Sequence, residues 1–189
     1  MLVPTLTTTR LRLRNWQDAD LEPFASLNAD PRVMEHYPAT LDRAQSDAFA
    51  IRARTKLAER GFGLWALEVR DGAPFVDYVG LAEPSFQAHF TPCIEIGWRL
   101  AYDHWGRGYA SEAASAVLEH AFGVLALSEI VAFTAVGNRR SRRVMERLGM
   151  HRVPSEDFDH PSLPEGHPLR PHVLYRLTRQ SWVTNTLCA

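Results

Sequence analysis

The stretch IGWRLAYDHWGRGYASEAASAVLEHAF, from Ile96 to Phe122, passes from a strand pattern through two glycines around an arginine into a helical pattern, with no proline or linker between. That junction constrains the fold more than any other feature of the chain. A helix that starts so soon after a strand presents its first backbone N–H groups unpaired, with roughly half a positive charge. Gly106 and Gly108 carry no Cβ to keep a ligand off the backbone, and Arg107 adds charge. A phosphate is the first group such a place suits. A tight turn that binds nothing has the same local pattern, so both readings stand on this stretch alone.

From Ala110 the apolar positions 110, 113, 114, 117, 118, 121 and 122 fall on one helical face. Four of these seven are alanine, so the face can lie close to a sheet. Upstream, TTTRLRLRNW alternates arginine with Leu11 and Leu13, the period of a half-buried strand, and a short helix follows with Asp18 or Asp20 as its cap, ending before Pro31. LDRAQSDAFAIRARTKLAERG predicts a second helix with Phe49, Ala53 and Leu57 on its inner face and Gly61 as its stop. FGLWALEV and FVDYVGLAE, joined through RDGAP, predict a hairpin, and CIEIGWRLA, with Cys93 inside it, a third strand.

EIVAFTAV predicts another strand. Asn138 then caps a helix whose inner face is Ser141, Val144, Met145 and Leu148 and whose stop is Gly149. The prolines of VPSEDFDHPSLPEGHPLRP predict loop, and HVLYRLTRQSW a last strand. Antiparallel strands first and alternating strands and helices later give an α+β (mixed α/β) fold, and 189 residues suit one domain.

Apolar residues make up 46% of the chain, yet no apolar run approaches the roughly 20 residues of a membrane helix. MLVPTLTTTR lacks the pattern of a secretory signal, which predicts a cytoplasmic protein. Cys93 and Cys188 lie too far apart in sequence to suggest a disulfide framework or a metal site, in keeping with a reducing compartment. With a formal charge of −1, an anion must be drawn by local placement, not by a global field.

The hinge, TTTRLRLRNWQDADLEPF, NRRSRRVMERLGM and HVLYRL together resemble the GNAT acetyltransferase superfamily, and within it the RimJ/RimL branch of ribosomal-protein N-terminal acetyltransferases. The resemblance implies one domain over residues 1–189, with a central, mostly antiparallel, splayed sheet flanked by helices. It implies acetyl-CoA as cosubstrate, its pyrophosphate on the backbone of Gly106, Arg107, Gly108, Tyr109, Ala110 and Ser111. Trp98, Arg99 and Leu100 would pair with the pantetheine as an extra strand would. Asn138 and Ser141 would flank the pantetheine and thiol. Arg139, Arg142 or Arg143 would reach the phosphates, the other reading of each being a solvated helix face.

Two positions depart from the family pattern. Trp105 stands where the superfamily's loop usually has Gln or Arg, and Met145 where many members carry a tyrosine that protonates the leaving thiolate. A thioether donates no proton, so Ser141, or water it holds, is the candidate in its place. Acetyl transfer also needs a neutral amine. At about pH 7.5 deprotonating an α-amine of pKa ~8 costs under roughly 1 kcal/mol, against roughly 4 for a lysine. Glu95 is the candidate base, directly or through water; the other reading of it is a charge on a solvated face.

His160, His167 and His172 have no ligand spacing, so no metal is expected. The loop that carries them, with the segment from Asp30 to Pro38, is expected to border the acceptor cleft, while Trp16, Tyr37 and Trp65 read as core or cleft wall. The expected partners are acetyl-CoA and an amine acceptor, either a peptide N-terminus or a small molecule such as an amino acid, polyamine or antibiotic. A CoA-binding sensor without turnover is the alternative that Met145 permits. Five arginines in RRSRRVMER raise nucleic-acid binding, against which the charge balance weighs. Neither nucleic acid nor membrane is an expected partner, and monomer and homodimer both stay open.

Overall fold

Leu11 and Leu13 are fully buried on the strand Leu11–Arg14 (β2), while Arg12 points outward to Glu68 across the sheet at 3.1 Å. The alternation breaks at Arg14, which is 8% exposed. Its guanidinium takes both oxygens of Asp20 at 2.8 Å, with Glu68 at 2.9 Å and the Pro74 carbonyl at 2.7 Å. A buried arginine survives there because the fork is paired on every side. The same Asp20 accepts the N–H of Gln17 at 2.8 Å and so starts the turn Asp18–Asp20 that leads into helix α1, Leu21–Ala29.

The computed structural model describes residues 3–187; Cys188 lies outside them. The chain divides into two compact units, Met1–Leu81 with Gly97–Val117, and Ala82–Ile96 with Leu118–Ala189.

In the first unit, β1 (Leu6–Thr7), β2, β3 (Leu64–Val69) and β4 (Asp77–Ala82) pair in sequence order, each antiparallel to the next. The hairpin expected between β3 and β4 is present. Gly80 is required there by close approach: a Cβ on it would stand 2.0 Å from the carbonyl oxygen of Gly63. Helix α2 (Arg43–Arg60) opens on Asp42, which forms a capping box with Gln45, and stops at Gly61. Its buried stripe is Ser46, Ala50, Ala53 and Leu57, so Phe49 lies at the edge of the expected inner face. Trp16, Phe24, Ala50, Ala53, Ala66, Phe75 and Tyr78 form the core over which α1 and α2 lie. Strand β5 (Glu95–Leu100) sends its last four residues into this unit, followed by helix α3, Tyr109–Gly123, through Val117.

In the second unit, β6 (Glu129–Ala135) pairs with β9 (Pro171–Thr178) from Glu129 opposite Thr178 to Ala135 opposite His172. Glu95 of β5 faces Val131 in parallel. After β6 comes α4 (Arg139–Arg147). A short strand, β7 (His151–Arg152), precedes the stretch expected as loop, and that stretch contains another, β8 (Phe158–Asp159), each antiparallel to β9. Cys93 falls two residues before β5, not inside it. The last strand ends earlier than expected: α5 (Arg179–Leu187) follows directly, started by Thr178, whose Oγ1 accepts the Ser181 N–H at 3.2 Å.

The fold is thus mixed α/β, a mostly antiparallel sheet with helices. No helix of the described residues is long and apolar enough to cross a membrane.

Candidate active site

In the first unit the chain leaves β5 through a short turn, Tyr102–His104, held by His104 N–H to Ala101 and Trp105 N–H to Tyr102. Trp105, where a polar residue is usual, does a structural task. Its indole N–H donates to the Leu100 carbonyl at 2.7 Å and its ring lies 4.9 Å from that of Tyr102. Gly106 and Gly108 follow with φ of +75° and +80°, which L side chains rarely adopt. The first bond of α3 runs from Glu112 N–H to the Gly108 carbonyl at 3.1 Å. Among the described residues no acceptor meets the N–H groups of Tyr109, Ala110 or Ser111, as a helix start dictates.

Two further observations suit an anion here. A Cβ built on Gly106 would meet nothing within 4 Å, so the loop is open as well as left-handed. The Ser111 hydroxyl, in the first turn, is buried and has no hydrogen-bond partner among the described residues. Tyr109 is buried, while Arg107 is exposed. Three N–H donors, a hydroxyl and an arginine are the kind of donors a pyrophosphate requires, and Glu112 sets a carboxylate in the same first turn.

Of the three residues expected to pair with pantetheine, Trp98 is half-buried and Leu100 buried. Arg99 is the surprise. Its side chain turns into the first unit and pairs with fully buried Asp77, at 2.6 Å from Nε and 3.3 Å from Nη2, while Nη1 donates to the Met34 sulfur at 3.1 Å. Phe24, Tyr78 and Tyr37 present their rings 5.2, 5.1 and 5.5 Å from the guanidinium carbon. Burial works against the Arg99 charge and Asp77 more than offsets it, so the guanidinium stays charged. Any part of Arg99 in holding a cosubstrate therefore falls to its backbone. Trp16 and Trp65 are core; Tyr37 reaches the surface beside this pair.

In the second unit Glu95 stands half-buried at the start of β5, with no hydrogen bond to its carboxylate among the described residues. Burial pushes that carboxyl up to about 8. Nearby Cys93, a free thiol, is pushed up to about 11 by burial and by Glu95. Asn138 caps α4: its Oδ1 accepts the Ser141 N–H at 3.1 Å and its Nδ2 donates to Thr134 at 3.0 Å. The side-chain amide is therefore committed to the helix start, and Ser141, half-buried in the same turn, is the member of that pair with a hydroxyl to offer. Arg143 is exposed and Met145 buried.

Two of the three histidines singled out in the sequence, His160 and His172, sit in an aromatic cluster. The His160 and His172 rings lie 5.0 Å apart, and Phe86 is 4.5 Å from His160. Burial lowers the pKa of both histidines. No group of three or more metal-ligating side chains is found among the described residues.

Residues 10–151 match the family model described as Acetyltransferase (GNAT) domain. The uncharacterized protein YkkB of Bacillus subtilis (strain 168) is 33% identical over 147 residues, covering 77% of this chain and 84% of the relative. FsC-acetyl coenzyme A-N(2)-transacetylase of Aspergillus fumigatus is 32% identical over 193 residues, covering 95% of this chain and 78% of the relative. Among solved structures, Mycobacterium smegmatis RimJ in complex with CoA-disulfide superposes with a TM-score of 0.74 at 18% identity, covering 97% of this chain and 95% of that one. A family match across most of the chain, with the left-handed glycine hinge inside it, makes this protein a member of the GNAT acetyltransferase family.

Proposed function

We propose that residues 1–189 act as one acetyl-CoA-dependent N-acetyltransferase domain whose acceptor is a primary amine of the α-amine type, such as a peptide N-terminus. The observation that carries the cosubstrate is the hinge: two left-handed glycines feed a helix whose first N–H groups are unpaired beside an unpartnered Ser111 hydroxyl. Acetyl-CoA, when bound, supplies the activated acetyl group. Gly106 to Ser111 hold its pyrophosphate, with Arg107 and Arg143 as charges, and the backbone of Trp98, Arg99 and Leu100 pairs with its pantetheine.

Glu95 takes the proton of the acceptor ammonium. A carboxyl pushed up to about 8 matches an α-amine of pKa ~8 far better than a lysine of ~10.4, and this match favours the α-amine. Ser141 Oγ, or water it holds, returns a proton to the departing sulfur. Since a thiolate of pKa ~8.5 leaves without much help, the loss of a tyrosine at the Met145 position is tolerable. A small-molecule amine is the second reading, favoured by the relative whose name describes N(2)-acetyl transfer. The protein is proposed to work in the cytoplasm, without nucleic acid or membrane.

The test is release of free CoA thiol from acetyl-CoA by the purified protein, across peptides of different N-termini, amino acids, polyamines and aminoglycosides, each against a blank without acceptor. Turnover with free but not blocked α-amines supports the reading. Turnover confined to polyamines or aminoglycosides replaces the acceptor, and acetyl-CoA binding with no turnover on any amine makes the protein a sensor.

A further inference from the structure

Thr8 and Arg10, in the chain's first motif, stand more than ninety residues before the hinge in sequence, yet they touch it. The Arg10 side chain meets Glu112, in the first turn of α3, through both Nε and Nη2 at 2.6 Å. The Arg10 backbone N–H donates to the other carboxylate oxygen at 2.9 Å, and Thr8 Oγ1 donates to that same oxygen at 2.6 Å. Arg10 Nη1 reaches on to the Arg107 carbonyl at 3.0 Å, and the guanidinium carbon lies 4.9 Å from the centre of the Tyr109 ring. One side chain thus spans the hinge from residue 107 to residue 112.

Two consequences follow from elementary chemistry. The Arg107 carbonyl and the Gly108 N–H belong to one planar trans peptide and point in opposite directions. With the carbonyl drawn to Arg10, the Gly108 N–H must face the other way, where no backbone acceptor among the described residues meets it. Second, a glutamate in the first turn of a helix suits the helix dipole but repels an anion arriving at the same place. Arg10 supplies the opposite charge at contact distance.

We propose that Arg10 is a positioning residue for the cosubstrate's pyrophosphate: it holds the Arg107 carbonyl so that the Gly108 N–H faces the anion, and it cancels the Glu112 charge at the helix start. The inference rests on the acetyl-CoA reading above. It gives the N-terminal TTTRLRLR motif a functional task besides forming a strand.

The experiment compares two thioesters, acetyl-CoA and S-acetylpantetheine, which lacks every phosphate, in wild type, Arg10→Gln and Arg10→Lys. Because the ratio of kcat/KM for the two thioesters does not depend on the fraction of folded protein, a poorly folding variant is still informative. The ratio is expected to fall about ten-fold or more in Arg10→Gln, the scale of a lost charge-assisted bond. Arg10→Lys should lose it too, since a single ammonium cannot reproduce a fork that serves two acceptors. An unchanged ratio in Arg10→Gln overturns the proposal. A full ratio in Arg10→Lys overturns the positioning role and leaves Arg10 as a bare charge. If wild type neither binds acetyl-CoA by calorimetry nor turns it over, the acetyl-CoA reading itself fails, an outcome distinct from either variant result.

Discussion

The Glu95 carboxylate has no hydrogen-bond partner among the described residues and sits where burial disfavours its charged form, so its protonation is set by solvation more than by a neighbour. Below about 8 the carboxyl already holds its proton and cannot take another from an ammonium; above it the base is available. The rate should therefore rise with pH through that value, and Glu95→Gln should lose the limb. Measured with an acceptor whose amine titrates well away from 8, a limb that persists in the variant belongs to another group. The sign for stability runs the other way. A folded-state pKa above the unfolded one means that the contribution is full below the ordinary glutamate range and disappears as pH rises through about 8. Arg99 and Asp77 make the opposite arrangement: a buried charge fully supplied with a counter-charge, and hence structural.

Among the elements, the β3–β4 hairpin is where a single atom has most effect. A Cβ on Gly80 would meet backbone, not a movable side chain, at 2.0 Å from the Gly63 oxygen and 2.8 Å from the Leu64 Cα. Gly80→Ala should cost about 3 kcal/mol in urea unfolding, with the strands forced apart; a cost near zero would mean that the hairpin yields. Helices α2, α3 and α4 were legible in the sequence because each combines a 3.6-residue apolar stripe with a cap or a stop: Gly61, the glycine hinge, Asn138. The start of α5 had a signal too, the threonine at 178 with a serine three residues on, but a strong strand pattern running into it hid the cap. Arg10, Arg14 and Arg99 were illegible for a different reason. Arg14 and Arg99 occupy strand positions where arginine ordinarily faces water, and Asp20 with Glu68 in one case and Asp77 in the other hold them inward; Arg10 stays exposed, but its partner Glu112 lies about a hundred residues on. Residue type and local period carry no trace of such pairings.

For the molecule as a whole, a cosubstrate that binds only the folded state must stabilise it. At about a hundred times its Kd, acetyl-CoA should add roughly 2.7 kcal/mol, seen as a raised Tm that S-acetylpantetheine at the same concentration does not reproduce. Equal shifts from both would place the binding energy in the pantetheine arm and take the hinge out of it. The contact between Arg10 and the hinge adds an order of events. During synthesis the first strand leaves the ribosome roughly a hundred residues before Glu112 does, and until that later segment arrives Arg10 has neither the carboxylate nor the carbonyl it is built to hold. Competence to grip an anion is in this sense a report on assembly. A chain whose opening strand has not docked keeps its glycines and its helix, yet presents an incoming phosphate with an uncancelled glutamate.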